Sequence, residues 1–531
     1  MKKILKIFSV GLLPAICVPW AFVLAADLTP AKPPSGVEAS APAIIELKNG
    51  DTFDLTAGIV KKRIVGHEVK MLAYNDSIPG PILKVVKGAE ITIHFTNHTD
   101  VATTLHSHGV RLDNAYDGVP GSTQKIVGIG ESFDYKIKFP DEGIYWYHPH
   151  AREDYAQELG LYGNYLVVPD RSDYWSPVNQ EIPLIVDDIL LENGEVAPFG
   201  PVPNHALMGR FGNTMLANGS DHYTLSAKQG EVVRFYLTNA ANTRVFNLAI
   251  PGAKIKRVGG DNGRFERETF VDSVRLAPSE RAIVEVLFDT PGAFPLLHKT
   301  PLKTYTMGTI NVSAEKAAVS YVSQFQKLRV NRDVTAEFAK FRPYFDKPDD
   351  KNLVLTMDMG GMGGMNMGGM DMGGMDMGGM GKGMMGGASK ASNAAQSSDD
   401  KIEWEDSMAM MNQMATANTI NWKITDKDTG KSGMDIDWKF KRGDVVKIKI
   451  FNDPASMHPM QHPIHFHGQR FLVLTTNGVK NDNLVWKDTV LIPKGDTVEI
   501  LVDMENSGVW MAHCHIAEHL ESGMMFNFTV S

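Results

Sequence analysis

Three runs of the chain, GAEITIHFTN (88–97), GEVVRFYLTN (230–239) and GDVVKIKIFN (443–452), share one pattern, and that repetition constrains the fold more than any other feature. Each leaves a glycine, alternates apolar and polar residues, and closes on asparagine nine positions later. A period of two sends successive side chains to opposite faces, so each run reads as a half-buried strand. A second repeat follows every copy: Phe139 through Gly143 to His148, Phe288 through Gly292 to His298, and Val502 through Gly508 to His513. Short alternating strands, frequent Gly/Pro/Asn turns and little helical periodicity argue for an all-β chain of three tandem sandwiches. At 531 residues the chain is too long for one core, which agrees.

The expected organisation is a signal peptide at 1–26, a linker at 27–44, and a first domain at 45–170. A second domain follows at 171–315, a linker at 316–348, and a third domain at 349–531 carrying a Met-rich insertion at 357–414. The leader reads Met1-Lys2-Lys3, an apolar run from Ile4 to Leu24, then Ala25 and Ala26 as the cleavage region. A membrane anchor is the alternative, since the run approaches spanning length, but Pro14 and Pro19 interrupt it. Export to the periplasm is therefore expected, with no stable membrane insertion after cleavage. The formal charge of −9, with no long basic run, makes nucleic acid a poor partner. Cys17 lies in the leader, so the mature protein keeps only Cys514 and forms no internal disulfide.

That lone cysteine sits in His513-Cys514-His515, with His519 and Met524 downstream. In an extended strand the two histidines project to one face and the cysteine to the other. This suits a copper held by cysteine on one side that passes electrons to a second copper site on the other. Cys514, His519 and Met524 supply the thiolate, one imidazole and the weak axial thioether of a blue-copper centre. His462, in HPIHFHG (462–468), supplies the remaining imidazole. His106/His108, His148/His150 and His465/His467 complete four His-x-His units. The first and third copies of the repeat carry these pairs in equivalent places. The middle copy has FNLA (246–249) and the lone His298 there instead, so it reads as a spacer between two copper-bearing domains that face each other.

From roughly residue 45 to 531 the chain resembles the three-domain multicopper oxidases, the family of laccases, ascorbate oxidase and bacterial cuprous oxidases. The resemblance implies cupredoxin-like domains and one-electron oxidation of a reductant coupled to four-electron reduction of O2 to water. It also implies four copper ions as cofactors. By the family pattern the type 1 copper is held by His462, Cys514, His519 and axial Met524, the spacing of ten from Cys514 favouring Met524 over Met525. His106 and His465 would hold the type 2 copper. The type 3 pair would take His108, His148 and His515 on one ion and His150, His467 and His513 on the other. Asp117, eleven residues after His106, matches an acidic position near the cluster and is expected to donate protons or organise hydrogen bonds; a turn residue beside Gly118 is the alternative. Two departures stand out: Ser107 where many relatives have tryptophan, and Leu520 where bacterial relatives often have glutamate. Glu518 and Glu521 are the nearby candidates for that missing acid.

Between Met357 and Met385 the chain is almost entirely methionine and glycine, with a second methionine cluster at Met408, Met410, Met411 and Met414. So much glycine builds no core or helix, and thioethers prefer Cu(I) to Cu(II). A linker with incidental methionines is the alternative. Immediately before His462 stands Met457-His458-Pro459-Met460, and bacterial cuprous oxidases carry a methionine matching Met460 but often an aspartate where this chain has His458. A substrate Cu(I) site is expected from Met457, His458 and Met460, closed by Met357, Asp358 and Met359; simple packing of Met457 and Met460 is the alternative. The reading is a monomeric oxidase acting on Cu(I) and O2, in copper tolerance. The rivals are a laccase-like oxidase of phenols or other small reductants, and a copper-sequestering protein. Storage needs no electron bridge to an O2 site, which speaks against the last.

Overall fold

The structure, a computed structural model, describes residues 36–359 and 398–531. The leader expected at 1–26 and most of the methionine tract lie outside the described residues. The chain is built from successive pairs of sheets, as the repeats require. The first pair joins a five-stranded sheet containing His106–His108 and Gly143–His148 to a four-stranded sheet containing Glu90–Asn97. The middle pair has six strands against five, with Glu231–Asn239 in one sheet and Gly292–Lys299 in the other. The last pair repeats that plan with Asp444–Asn452 opposed to the sheet holding His462–Phe466 and Gly508–Cys514. All three repeated runs are strands, and the apolar members of their alternation, such as Ile91, Ile93 and Phe95, are buried between the sheets.

Register explains why the histidine pairs meet. His106 lies opposite His148 in one antiparallel pair, and His465 lies opposite His513 in the other. At the same place in the middle sandwich Leu248 faces His298. The fold thus builds one strand-pair template three times and arms two copies of it.

The segment expected as a linker is not bare chain. It carries helices Val322–Phe325 and Arg332–Phe338, and Val334, Phe338 and Phe341 pack on Leu472, Leu474 and Trp486 of the last sandwich. Burying these apolar side chains, at about 25 cal/mol per Å2, fixes the connection without a strand. No helix among the described residues is long and apolar enough to cross a membrane.

Candidate metal centres

Ten histidines of the paired motifs and their neighbours gather at two places. Eight of them, His106, His108, His148, His150, His465, His467, His513 and His515, meet between the first and last sandwiches, and all are buried. His150 Nε2 lies 3.3 Å from His467 Nε2, which lies 3.0 Å from His513 Nε2. The rings of His108 and His148 each stand 5.0 Å from that of His515. His106 and His465 face one another with ring centroids 6.0 Å apart. His513 is the penultimate residue of its strand and His515 lies just past the strand end, at a bend, yet both rings reach the cluster.

Hydrogen bonds set the ring orientations. The Nδ1–H groups of His106, His148, His465 and His513 donate to the carbonyls of Asp117, Pro149, Asp488 and Cys514, at 2.6, 2.7, 2.8 and 2.8 Å. His467 Nδ1 donates to Asp117 Oδ2 at 2.9 Å. Each outward bond leaves Nε2 inward with its lone pair. His106, His148 and His465 have that nitrogen buried and without a protein partner. His108 is reversed: Nε2 donates to Asp488 Oδ1 at 3.0 Å, and Nδ1 is the bare nitrogen. Burial lowers the basicity of His467 and His515, and most strongly that of His108, His148, His150, His465 and His513, so these seven stay neutral. A buried nest of unprotonated nitrogens aimed at one another is costly unless a cation sits among them. The donor set therefore fits copper ions, as soft-to-borderline imidazole ligands with outward partners should.

The second place joins His462, Cys514 and His519. The two Nδ1 atoms stand 3.3 Å apart, and Sγ of Cys514 lies 3.6 Å from His462 Nδ1 and 3.9 Å from His519 Nδ1. Burial pushes the Cys514 thiol well above its ordinary range, so a thiolate here needs a neighbouring cation. Met524 is fully buried in the same core, and its carbonyl accepts the Cys514 N–H at 3.0 Å. Met525 packs elsewhere, with Val119, Met511 and Leu520, which separates the two adjacent methionines.

Matches to family models described as multicopper oxidase run in sequence along the chain, at residues 59–172, 172–323 and 403–531. The chain belongs to the multicopper oxidases. It is 25% identical over 474 residues to multicopper oxidase mco of Staphylococcus aureus, covering 88% of this chain and 85% of that one. Copper resistance protein A of Pseudomonas syringae pv. tomato is also 25% identical, over 92% of this chain and 94% of its own. Among solved structures, a multicopper oxidase from Campylobacter jejuni described as a metallo-oxidase superposes with a TM-score of 0.66 at 25% identity, covering 93% and 95% of the two chains. This oxidoreductase family uses copper, and its fold is the cupredoxin-like sandwich repeated three times.

Several residues of this multicopper oxidase were not legible from spacing. Asp117 was, and it lies where expected, with burial opposing ionisation but His467 and His106 holding its carboxyl well below the usual range. Glu153 was not. It is fully buried on the short helix after His150, its Oε1 stands 3.4 Å from His150 Nδ1, and burial pushes its carboxyl well up. The His-x-x-Glu spacing was the available signal. Glu518, beside His519, is likewise buried and pushed up to about 8, first by burial and then by Asp154. Ser107, in place of tryptophan, lies 3.1 Å from the Tyr165 hydroxyl. His298, the lone histidine of the middle copy, accepts the Asn247 N–H at 3.0 Å.

The candidate substrate residues divide. Met460 is fully buried in the core that holds Cys514, Met524 and Met357, while Met359 and Met408 pack against that core. Strand alternation turns Asp358 to the opposite face, where Lys423 pairs with it. Met457 is exposed. His458 is half-buried with Nε2 unpartnered, and burial together with Lys494 keeps it neutral. His462, Cys514 and His519 are themselves at most 1% exposed. Trp422 stacks on His519 with centroids 4.1 Å apart and donates from Nε1 to the Ala206 carbonyl at 2.8 Å, closing the site.

Proposed function

We propose that the protein oxidises Cu(I) to Cu(II) and delivers the electrons to O2, four Cu(I) and four protons giving four Cu(II) and two waters per O2. His462, Cys514, His519 and Met524 would hold the type 1 copper. His106 and His465 would hold the type 2 ion, and His108, His148, His515 and His150, His467, His513 the type 3 pair. Bound there, the four ions accept single electrons and together supply the four that O2 reduction requires.

The chain's own residues divide the remaining work. Cys514 links the two centres covalently, since His513 and His515 flank it. Asp117 orients His467 and His106 and stands beside the cluster where protons are consumed. The single observation carrying the choice of Cu(I) is that four thioethers share the hydrophobic core that also holds Cys514 and Met524: Met357 and Met460 within it, Met359 and Met408 against it. His458, two residues before Met460 in the chain, adds a neutral donor with its Nε2 unpartnered. The burial of His462 and His519 favours a small ion over a bulky phenol. Export to the periplasm rests on residues 1–26 and belongs to the same proposal, as does a monomeric state.

The test is steady-state O2 uptake with Cu(I), then with a phenol, on one fully copper-loaded preparation. Cu(I) should be the better substrate. Deleting residues 360–387 should raise the apparent KM for Cu(I) and leave the four coppers in place, because capture sites are lost before electron transfer is touched. Met460→Ala should instead lower kcat for Cu(I). Phenol preferred over Cu(I) by the wild type would move the protein to the laccase-like oxidases, and copper uptake without turnover would make it a sequestering protein.

A further inference from the structure

The middle sandwich contributes none of the eight clustered histidines, yet one of its side chains ends beside them. Arg281 opens the strand Arg281–Phe288, is 1% exposed, and touches all three sandwiches. Its Nε donates to the Ile144 carbonyl of the first at 3.1 Å, and Nη1 donates to Ser279 of its own at 3.0 Å. The guanidinium then forks onto Asp488 of the last, Nη1 reaching Oδ1 at 2.6 Å and Nη2 reaching Oδ2. Asp488 hands this constraint to the cluster. Its Oδ1 accepts His108 Nε2–H at 3.0 Å and the Thr489 hydroxyl at 3.0 Å, and its carbonyl accepts His465 Nδ1–H at 2.8 Å. Asn262, also from the middle sandwich, donates to Oδ2 at 3.1 Å.

Two features make this more than an ion pair between domains. The residue after His108 is Gly109, at φ +80°, and a Cβ there would lie 2.3 Å from Asp488 Oδ2 and 2.7 Å from Arg281 Nη2. The backbone beside the histidine is therefore shaped to admit the pair. Second, His108 is the reversed histidine, with Nε2 outward and Nδ1 bare. A hydroxyl or amide in place of Asp488 is able to donate as well as accept, and would tolerate either tautomer. An ionised carboxylate only accepts, so it forces Nε2–H and leaves Nδ1 unprotonated. A fork of two parallel bonds stops that carboxylate from turning. As a stability device a fully buried pair is poor, because desolvation offsets most of its attraction.

We propose that Arg281 is a positioning residue for the histidine cluster: forked onto Asp488, it fixes the acceptor that holds His108 with Nδ1 presented to a metal. The sandwich that ligates nothing thereby sets the geometry of a site it does not enter. This rests on the reading that the cluster holds copper.

The experiment uses the full-length, copper-loaded protein and two variants that keep the buried charge balanced. Arg281→Lys replaces the fork by a point donor. Arg281→Gln with Asp488→Asn removes both charges and lets residue 488 turn either its oxygen or its amide toward His108. Copper per chain is followed during titration with a chelator, alongside the EPR spectrum and the blue band. Cluster copper should bind about 10- to 100-fold more weakly in both variants, with altered EPR parameters and an unchanged blue band. Wild-type affinity and EPR parameters in either variant overturn the proposal, even with a lowered Tm. Loss of the blue band in step with the cluster copper overturns it too, marking a general loss of structure. A wild type whose cluster takes up no copper refutes the copper reading instead.

Discussion

Asn412→Ala tests whether the segment following the methionine tract covers the type 1 site. Asn412 is completely buried in the helix Ala409–Met414. Its Oδ1 accepts the Met208 N–H at 2.9 Å, and its Nδ2 donates to the Gly209 carbonyl at 2.8 Å and to Asp406 at 2.9 Å. At about 1 kcal/mol net for each bond, alanine removes roughly 2–3 kcal/mol of attachment. A helix of six residues has no stability of its own, so the loss should appear as local opening and not as global unfolding. Taking about 1.4 kcal/mol per factor of ten, the open population rises roughly 30- to 150-fold. Hydrogen exchange at 406–415 should accelerate by that factor while the blue band stays. Phenol oxidation should rise, and the KM for Cu(I) should rise with it as Met408 leaves the core. Faster exchange with unaltered phenol kinetics would refute the covering role, and unaltered exchange would show that these bonds hold nothing.

Cys514→Ser should abolish the blue absorption and leave cluster copper in place by elemental analysis; a colourless, fully loaded wild type would sink the type 1 assignment. Asp117→Asn weakens the acceptor of His467, and O2 turnover should fall about 10- to 100-fold while stopped-flow reduction of the type 1 site continues. His298→Ala should change neither copper content nor turnover, since its hydrogen bond ends on a backbone N–H; copper loss there would mean that the repeat was misread. Burial raises the Cys514 thiol but holds the histidines neutral, so type 1 copper uptake should release one proton. Its apparent affinity should then climb about tenfold per pH unit below the thiol's raised pKa, measured by chelator competition from pH 6 to 8.

The strands and the histidine pairs were legible because both are local. A period of two and a glycine turn are written in neighbouring residues, and each His-x-His pair starts on a strand, although only His106 and His108 both lie on one. The repeat even foretold that His298 stands where His148 and His513 do, as its pairing with Leu248 bears out. What spacing did not reveal are partners brought in across domains. Asp488 reaches His108 from 380 residues away, and Arg281 reaches Asp488 from 207 away, with no motif around either. Trp422, on the strand Ile420–Asp426, stacks on His519 of the helix Ala517–Glu521. Asp358 was misjudged for a simpler reason: strand alternation sends it away from Met357 and Met359, and Lys423 takes it up.

The placement of the eight-histidine cluster has a thermodynamic consequence. Four of the rings come from the first sandwich and four from the last, so neither contains the site alone. Without metal, this interface buries imidazoles, of which His106, His108, His148 and His465 each leave an inward nitrogen unpartnered. Each such nitrogen costs free energy that folding elsewhere must offset. On the proposed reading copper would remove that cost and bind only the assembled pair of domains, so by linkage it would stabilise their contact in proportion to its own affinity. The middle sandwich is tied into the same contact through Arg281 and Asp488. Metal loading and domain assembly are then one equilibrium seen from two sides, and a cluster placed inside any single sandwich would lack that coupling.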